Sequence, residues 1–316
     1  MGFTANFTQS VIVLVGLILL GTFLRRKGLL KSELSPLFAR IVTDITLPAL
    51  IFSALAVQKI SFAQMEQPLV MAAAEVVCIL VAWGVADLLK LDKPSKGAFI
   101  LVAAFGSSAF LGYPVIRGAF PGNSAAMSDA VIVSELGVGV LIFTVGVMIA
   151  MFFGRESVNL KEGFGVLVGF LHSPVFVALV SGIVVSIAFP YKSSKFFSVL
   201  MEFTRTLGAA NTVFVTLTIG IMLKFEDMRP VLLLAALVCF IKLILKPVLV
   251  ALPADIMGFP EMWKQVTVIE AAMPSATLAA VFSSRYGCDG ELAAKLLMLT
   301  LVCSVVTMVG VVAILL

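Results

Sequence analysis

The sequence predicts an all-α membrane protein of ten transmembrane helices, arranged as two inverted five-helix repeats with broken crossover helices. Three observations predict it. The first is composition. Hydrophobic residues make up 61% of the 316-residue chain and charged residues 13%, against about 45–50% apolar and about 25% charged in soluble domains. The second is ten apolar stretches joined by short polar connections with no room for a soluble domain, each near the length of about 20 residues that spans a bilayer. The third is a pair of interruptions at matching places, Pro114 and Pro274, which lie 160 residues apart in a chain of 316. Interrupted segments at corresponding positions of two halves point to a transporter binding site.

The first span, 7–24, follows an N-terminus (Met1–Ser10) with no basic residue, and no small-residue cleavage site appears. It therefore reads as a retained helix and not a signal peptide. The second, 34–57, contains Asp44-Ile45-Thr46-Leu47-Pro48, and the third, 68–89, ends at the turn Lys90-Leu91-Asp92-Lys93-Pro94. The fourth, 97–120, carries Gly106-Ser107-Ser108-Ala109-Phe110-Leu111-Gly112-Tyr113-Pro114 and closes at Pro121-Gly122-Asn123. Proline removes a backbone donor and clashes with the preceding turn, so a break is expected near Tyr113-Pro114. The fifth, 129–153, holds Glu135, and the sixth, 163–189, has His172 near its start. The seventh, 196–223, carries Glu202 and Arg205 and the small-polar run Gly208-Ala209-Ala210-Asn211-Thr212. Lys242 and Lys246 share a face of the eighth, 230–252, and are expected to snorkel to the extracellular interface. The ninth, 261–285, contains Glu270-Ala271-Ala272-Met273-Pro274-Ser275, and the tenth, 291–315, holds Lys295, which lies 160 residues after Glu135 and is expected to pair or snorkel.

Twelve loop lysines and arginines fall on one side: Arg25, Arg26, Lys27, Lys31, Lys90, Lys93, Lys96, Arg155, Lys161, Lys224, Arg229 and Arg285. Five fall on the other: Lys59, Arg117, Lys192, Lys195 and Lys264. The richer side is expected in the cytoplasm, with both termini outside, in the plasma (inner) membrane. Five spans per half make 159–316 enter the membrane from the opposite side to 1–158, so the two halves read as inverted repeats of one transporter domain.

A broken helix leaves unpaired N–H groups at the start of its second half and unpaired C=O groups at the end of its first. The amides after Pro114 (Val115, Ile116) and after Pro274 (Ser275, Ala276) are therefore expected to form two partly positive termini suited to a carboxylate. The carbonyls before the prolines suit a cation. The plainer reading is two kinks whose freed groups are satisfied by neighbouring helices. The candidate substrate-binding residues are Ser107, Ser108, Gly112, Tyr113, Pro114, Val115, Asn211, Met273, Pro274, Ser275 and Ala276. Hydroxyls between helices also serve as plain structural bonds, averaging about 0.6 kcal/mol. A charge at the centre of a span costs about 2.5–3.5 kcal/mol on insertion scales, so each needs a reason. Asp44 and Glu270, each one turn before a proline, are candidates for coupling to Na+ or H+, with a structural salt bridge as the alternative.

Other function classes are poorly supported. The single histidine, His172, excludes a two-histidine metal site, and no Gly-x-Ser-x-Gly accompanies it. No phosphate-binding loop is present for ATP-driven transport, and no cofactor is implied. Cys78, Cys239, Cys288 and Cys303 have no metal or redox spacing. The net charge of +4 sits in loops and implies no nucleic-acid partner. Small residues such as Gly16 and Gly21 suit packing within the protomer or in a homodimer.

Several stretches resemble a known family. Leu47-Pro48-Ala49-Leu50-Ile51-Phe52 is similar to the second helix of the auxin efflux carrier family of bacterial permeases, which includes malonate permeases and, distantly, the plant PIN auxin exporters. Phe110-Leu111-Gly112-Tyr113-Pro114 resembles its fourth-helix crossover. Ala271-Ala272-Met273-Pro274, with Arg285-Tyr286-Gly287 and Glu291-Leu292-Ala293, resembles its ninth and tenth helices, and Lys242 with Lys246-Pro247 its eighth. The resemblance covers essentially the whole chain. It implies ten helices in two inverted repeats, as in the bile-acid/sodium symporter group, with one bundle as scaffold and the crossover helices carrying substrate. Family members commonly have Asn seven residues before the fourth-helix proline. Ser107 stands there in this chain, and a hydroxyl replaces one hydrogen bond of an amide but not both ends. The expected function is secondary active transport of a small mono- or dicarboxylate by alternating access in a lipid bilayer. Uncoupled, uniport-like efflux of a weak acid and a ligand sensor on a transporter fold are the alternatives.

Overall fold

Prolines and wide helical turns set the path of this chain. In the computed structural model, which describes residues 2–154, 160–188, 194–222 and 228–316, three π-helical turns each end just ahead of a proline. They are Val42–Thr46 before Pro48, Ser108–Gly112 before Pro114 and Phe240–Leu245 before Pro247. Each proline then sits at the first or second position of the α-helix that follows, where its missing N–H costs least. The extra residue in a π turn absorbs the carbonyl that the proline ring would otherwise meet, so the helix continues.

The main helices among the described residues are α1 (Phe3–Arg26), α2 (Pro36–Leu55), α3 (Phe62–Leu88), α4 (Lys93–Ala104), α5 (Tyr113–Ala119), α6 (Ser124–Gly154), α7 (Leu160–Leu171), α8 (Pro174–Ala188), α9 (Lys195–Met222), α10 (Arg229–Ile256), α11 (Glu261–Ala272), α12 (Thr277–Tyr286) and α13 (Gly290–Leu315). Among the described residues seven of these (α1, α2, α3, α6, α9, α10 and α13) are long and apolar enough to cross a membrane. The chain is a multi-pass helical membrane protein. The other three apolar stretches of the sequence are each divided: α4 from α5, α7 from α8, and α11 from α12. The sixth stretch was expected to be one helix. It is interrupted at His172-Ser173, where Pro174 starts α8 and the Ser173 hydroxyl accepts from the Phe176 amide at 3.2 Å. Arg155, Lys192 and Lys224, used above for orientation, and the 158/159 repeat boundary lie outside the described residues.

The helices assemble into two compact units, each drawn from both halves of the sequence. Unit 1 comprises Met1–Gln64, Ala109–Val131 and Gly169–Lys224. Here α1 meets the second part of α9 through glycines. A Cβ on Gly220 would lie 2.9 Å from Gly21 Cα and press on the Ile18 carbonyl. The close approach lets Thr22 Oγ1 donate to Gly220 O at 3.0 Å and Arg25 to Ile221 O at 2.9 Å. Gly21 thus packs within the protomer, while nothing lies within 4 Å of Gly16's missing Cβ. Small residues that let helix backbones touch are the usual device of packing in lipid. Gly220→Ala should therefore separate α1 from α9 and destabilise the protein by about 1–3 kcal/mol through overpacking, seen as a lower apparent melting temperature in detergent.

Unit 2 comprises Met65–Ser108, Ile132–Val168 and Phe225–Leu316. Its centre is formed by α4 and α11. Ala98 through Ala104 and Val266 through Ala272 are buried without a break, which is why neither segment shows an amphipathic pattern in the sequence. Asp92 opens α4, its carboxylate accepting from the Ser95 amide at 3.5 Å.

Candidate functional site

Both central helices of unit 2 stop short, and the extended segments that follow them pair. After Ala104 the backbone of Phe105 is extended (φ −85°, ψ 133°). After Ala272, Met273 (φ −60°, ψ 147°) and Ala276 (φ −71°, ψ 134°) are extended too. The two segments lie antiparallel around Gly106 and Ser275. The Ser107 amide donates to Pro274 O at 2.7 Å and the Ala276 amide to Phe105 O at 2.9 Å. Pro274 explains the second interruption, because the residue before a proline is driven out of the helical region. The first has no proline. It forms where Gly106 lacks a side chain, since a Cβ there would sit 3.0 Å from both Cε and Nζ of Lys242.

This corrects the expected break at Tyr113-Pro114. Pro114 lies inside α5, and the amides of Val115 and Ile116 follow it within that helix. The half-helix after the first interruption begins instead at Ser108, while the one after the second begins at Thr277.

The carbonyl ends of both first halves are capped from a single helix. On α10, Lys246 Nζ donates to Ala104 O at 3.2 Å and Lys242 Nζ to Ala271 O at 2.8 Å. Ser275 Oγ takes a further orphan carbonyl, Val102 O, at 2.7 Å. Helix C-termini carry partial negative charge, so an ammonium is a fitting cap. Both lysines are fully buried, which overturns the expectation that they snorkel outward. Unsatisfied carbonyls inside unit 2 hold them instead. Lys246 also ion-pairs with the buried Glu75 of α3. Glu270 is buried one residue before the capped Ala271. Its carboxylate accepts no hydrogen bond among the described residues and feels the charges of Glu135, Lys242 and Lys246.

A family model described as a membrane transport protein matches residues 6–312. The chain belongs to that family, the auxin efflux carriers. It is similar to an uncharacterized transporter of Methanocaldococcus jannaschii, 25% identical over 299 residues and covering 92% of each chain. A second, from Methanothermobacter thermautotrophicus, is 26% identical over 313 residues, covering 95% of this chain and 96% of its own. The protein is a membrane transporter and not an enzyme.

The transporter brings Ser107, Ser108, Met273, Pro274, Ser275, Ala276 and Glu270 together in unit 2. Their hydroxyls have different duties. Ser275 is spent on Val102, and Ser108 shares a hydrogen bond with Ser134 at 2.8 Å. The Ser107 hydroxyl has no partner among the described residues. Gly112, Tyr113, Pro114 and Val115 are buried in the π turn and α5 of the transporter's unit 1. Asn211, also in unit 1, is buried and accepts from Thr46 Oγ1 at 2.9 Å, while its Nδ2 has no partner among the described residues. Asp44 is not a buried coupling carboxylate. Its side chain is 47% exposed, 3.8 Å from Arg40, and accepts from Thr43 at 2.9 Å. Lys295 pairs with Glu291 at 2.5 Å, one turn away on α13.

Sequence reasoning missed Gly106, Glu75, Lys242 and Lys246 as parts of this site. The signal available was two lysines four residues apart in an otherwise apolar helix, just ahead of Pro247. Charges that costly in a span need buried partners.

Proposed function

We propose that the protein is a secondary transporter of a small organic anion, such as a mono- or dicarboxylate, held at the crossover and moved by alternating access. The observation that carries this reading is the antiparallel pairing of Gly106 with Ser275. It sets the starts of two half-helices, at Ser108 and Thr277, beside one another, and helix N-termini present N–H groups and partial positive charge to an anion. The free Ser107 hydroxyl stands at the same place. In this reading α4–α5, α7–α8 and α11–α12 complete ten spans in two inverted repeats (1–158 and 159–316), with unit 2 carrying substrate and unit 1 as scaffold. The transporter sits in the plasma membrane with both termini outside.

The capping lysines bear on coupling. Carbonyl ends of broken helices are where transporters of this design coordinate sodium. Here two ammonium groups already neutralise those ends, so transport is sodium-independent. Lys246 is ion-paired with the buried Glu75, while the buried Glu270 has no hydrogen-bond partner among the described residues. Glu270 is therefore the candidate for carrying a coupling proton. The same caps favour uncoupled, uniport-like efflux as the second reading.

The purified transporter should gain thermal stability with malonate or a short monocarboxylate, since a ligand that binds only the folded state stabilises it by mass action. Exchanging Na+ for K+ should leave the gain unchanged, while Ser107→Ala and Pro274→Ala should abolish most of it. Stabilisation by lipophilic cations and by no carboxylate would sink the reading. In proteoliposomes, Glu270→Gln should flatten the dependence of flux on pH if Glu270 carries the proton. An unaltered pH profile in that variant supports the uncoupled alternative.

A further inference from the structure

We propose that unit 1 contains a second anion site, separate from the crossover, that takes an organic monocarboxylate with an apolar body. The site is a cavity of about 410 Å3, within the range of about 300–1,000 Å3 usual for small-molecule pockets. All of its lining residues belong to unit 1, and no crossover residue is among them.

Two arginines define its chemistry. Arg117, in the last turn of α5, and Arg205, in the first part of α9, both line the cavity, and no aspartate or glutamate does. Neither forms an ion pair among the described residues. Arg117 makes one long hydrogen bond, to Gly208 O at 3.5 Å, and Arg205 makes none among those residues. Both side chains are exposed and line the same cavity, so an anion bound there meets two cationic groups. A guanidinium offers paired N–H donors in the plane and spacing of a carboxylate.

The remaining lining fixes the rest of the ligand. Leu50 and Met127 are buried in the lining and Phe120 is half-buried there. An apolar body on the ligand would cover this floor, which a bare inorganic anion would leave wet. Gly208 builds the arrangement. A Cβ there would lie 2.9 Å from Leu50 Cα, so its absence draws α9 onto α2 and places Arg205 and Leu50 on the same cavity.

The test is binding of benzoate to the full-length protein in neutral detergent, followed by calorimetry and thermal shift, with benzyl alcohol and inorganic phosphate as comparisons. Benzoate should bind more tightly than either, and Arg117→Gln/Arg205→Gln should weaken it at least tenfold. Arg117→Lys and Arg205→Lys, which keep the charge but lose the fork, should each weaken it less. Ser107→Ala at the crossover should leave it intact, so this site can stand or fall independently of the proposed transport site. Equal binding of benzyl alcohol, or benzoate affinity unaffected by both arginine changes, would overturn the proposal. Loss with Ser107→Ala alone would place the anion at the crossover and overturn it as well. Stabilisation by phosphatidylglycerol in nanodiscs without any benzoate binding would assign the arginines to a lipid headgroup and also overturn it.

Discussion

Lys246→Met is expected to destabilise the transporter by about 3–5 kcal/mol, the usual consequence of removing one partner from a buried ion pair. The substitution keeps the volume of the side chain and removes its charge. Glu75, fully buried on α3, would lose its ion-pair partner, and the Ala104 carbonyl at the end of α4 would lose its cap. The larger share of the effect belongs to the stranded carboxylate, because an unpaired charge in the interior costs far more than a missing hydrogen bond. Glu75→Gln/Lys246→Met should therefore recover much of the loss, leaving mainly the open carbonyl. The measurement is apparent melting temperature in one detergent for the parent, both single variants and the double. If the double variant is no more stable than Lys246→Met alone, the pair does not hold α3 to α10.

Gly106→Leu should reduce transport at least tenfold while leaving the protein folded. A Cβ at this position already stands 3.0 Å from Cε and Nζ of Lys242. Alanine asks the lysine to shift by a few tenths of an ångström and should cost little. Leucine adds three carbons on a Cβ already in tight contact with Lys242 and should drive the ammonium away from the Ala271 carbonyl, which it reaches at 2.8 Å. That would leave the end of α11 uncapped and the positive charge displaced from Glu270. The pairing of residues 105–107 with 274–276 depends on the same close approach, so the starts of both half-helices would move with it. A graded series of Gly, Ala, Val and Leu at this position, assayed for flux in proteoliposomes and for monodispersity, gives the result. Equal flux across the series would show that the lysine cap is not coupled to transport.

Most of the secondary structure was legible from composition and from proline. Long apolar helices such as α1, α3 and α13 announce themselves because each needs only its own length and hydropathy. The interruption at Pro274 was legible for a local reason: proline restricts both its own φ and the residue before it. Pro114 misled the same reasoning, since the π turn at Ser108–Gly112 takes up its ring and lets the helix run on. The true interruption, at Phe105–Ser107, has no local cause strong enough to read. Its backbone leaves the helix because a distant segment supplies hydrogen bonds to Phe105 and Ser107 and because Lys242 fills the space beside Gly106. Asp44 and Glu270 looked alike in the sequence, each a carboxylate one turn before a proline. They differ in burial, which is a property of what packs around them.

The sequence by itself determined that this chain lives in a membrane, where its long apolar helices run, and which transporter family it belongs to. Hydropathy, chain length and proline act over a few residues, so they are written locally. Only the tertiary structure decided where the crossover lies, that both its carbonyl ends are closed by two lysines of one helix, and that two arginines line one cavity of unit 1. Those features are partnerships between residues separated by tens to hundreds of positions. An ammonium, a carbonyl or a guanidinium carries no mark of its partner until folding removes the water that would otherwise satisfy it.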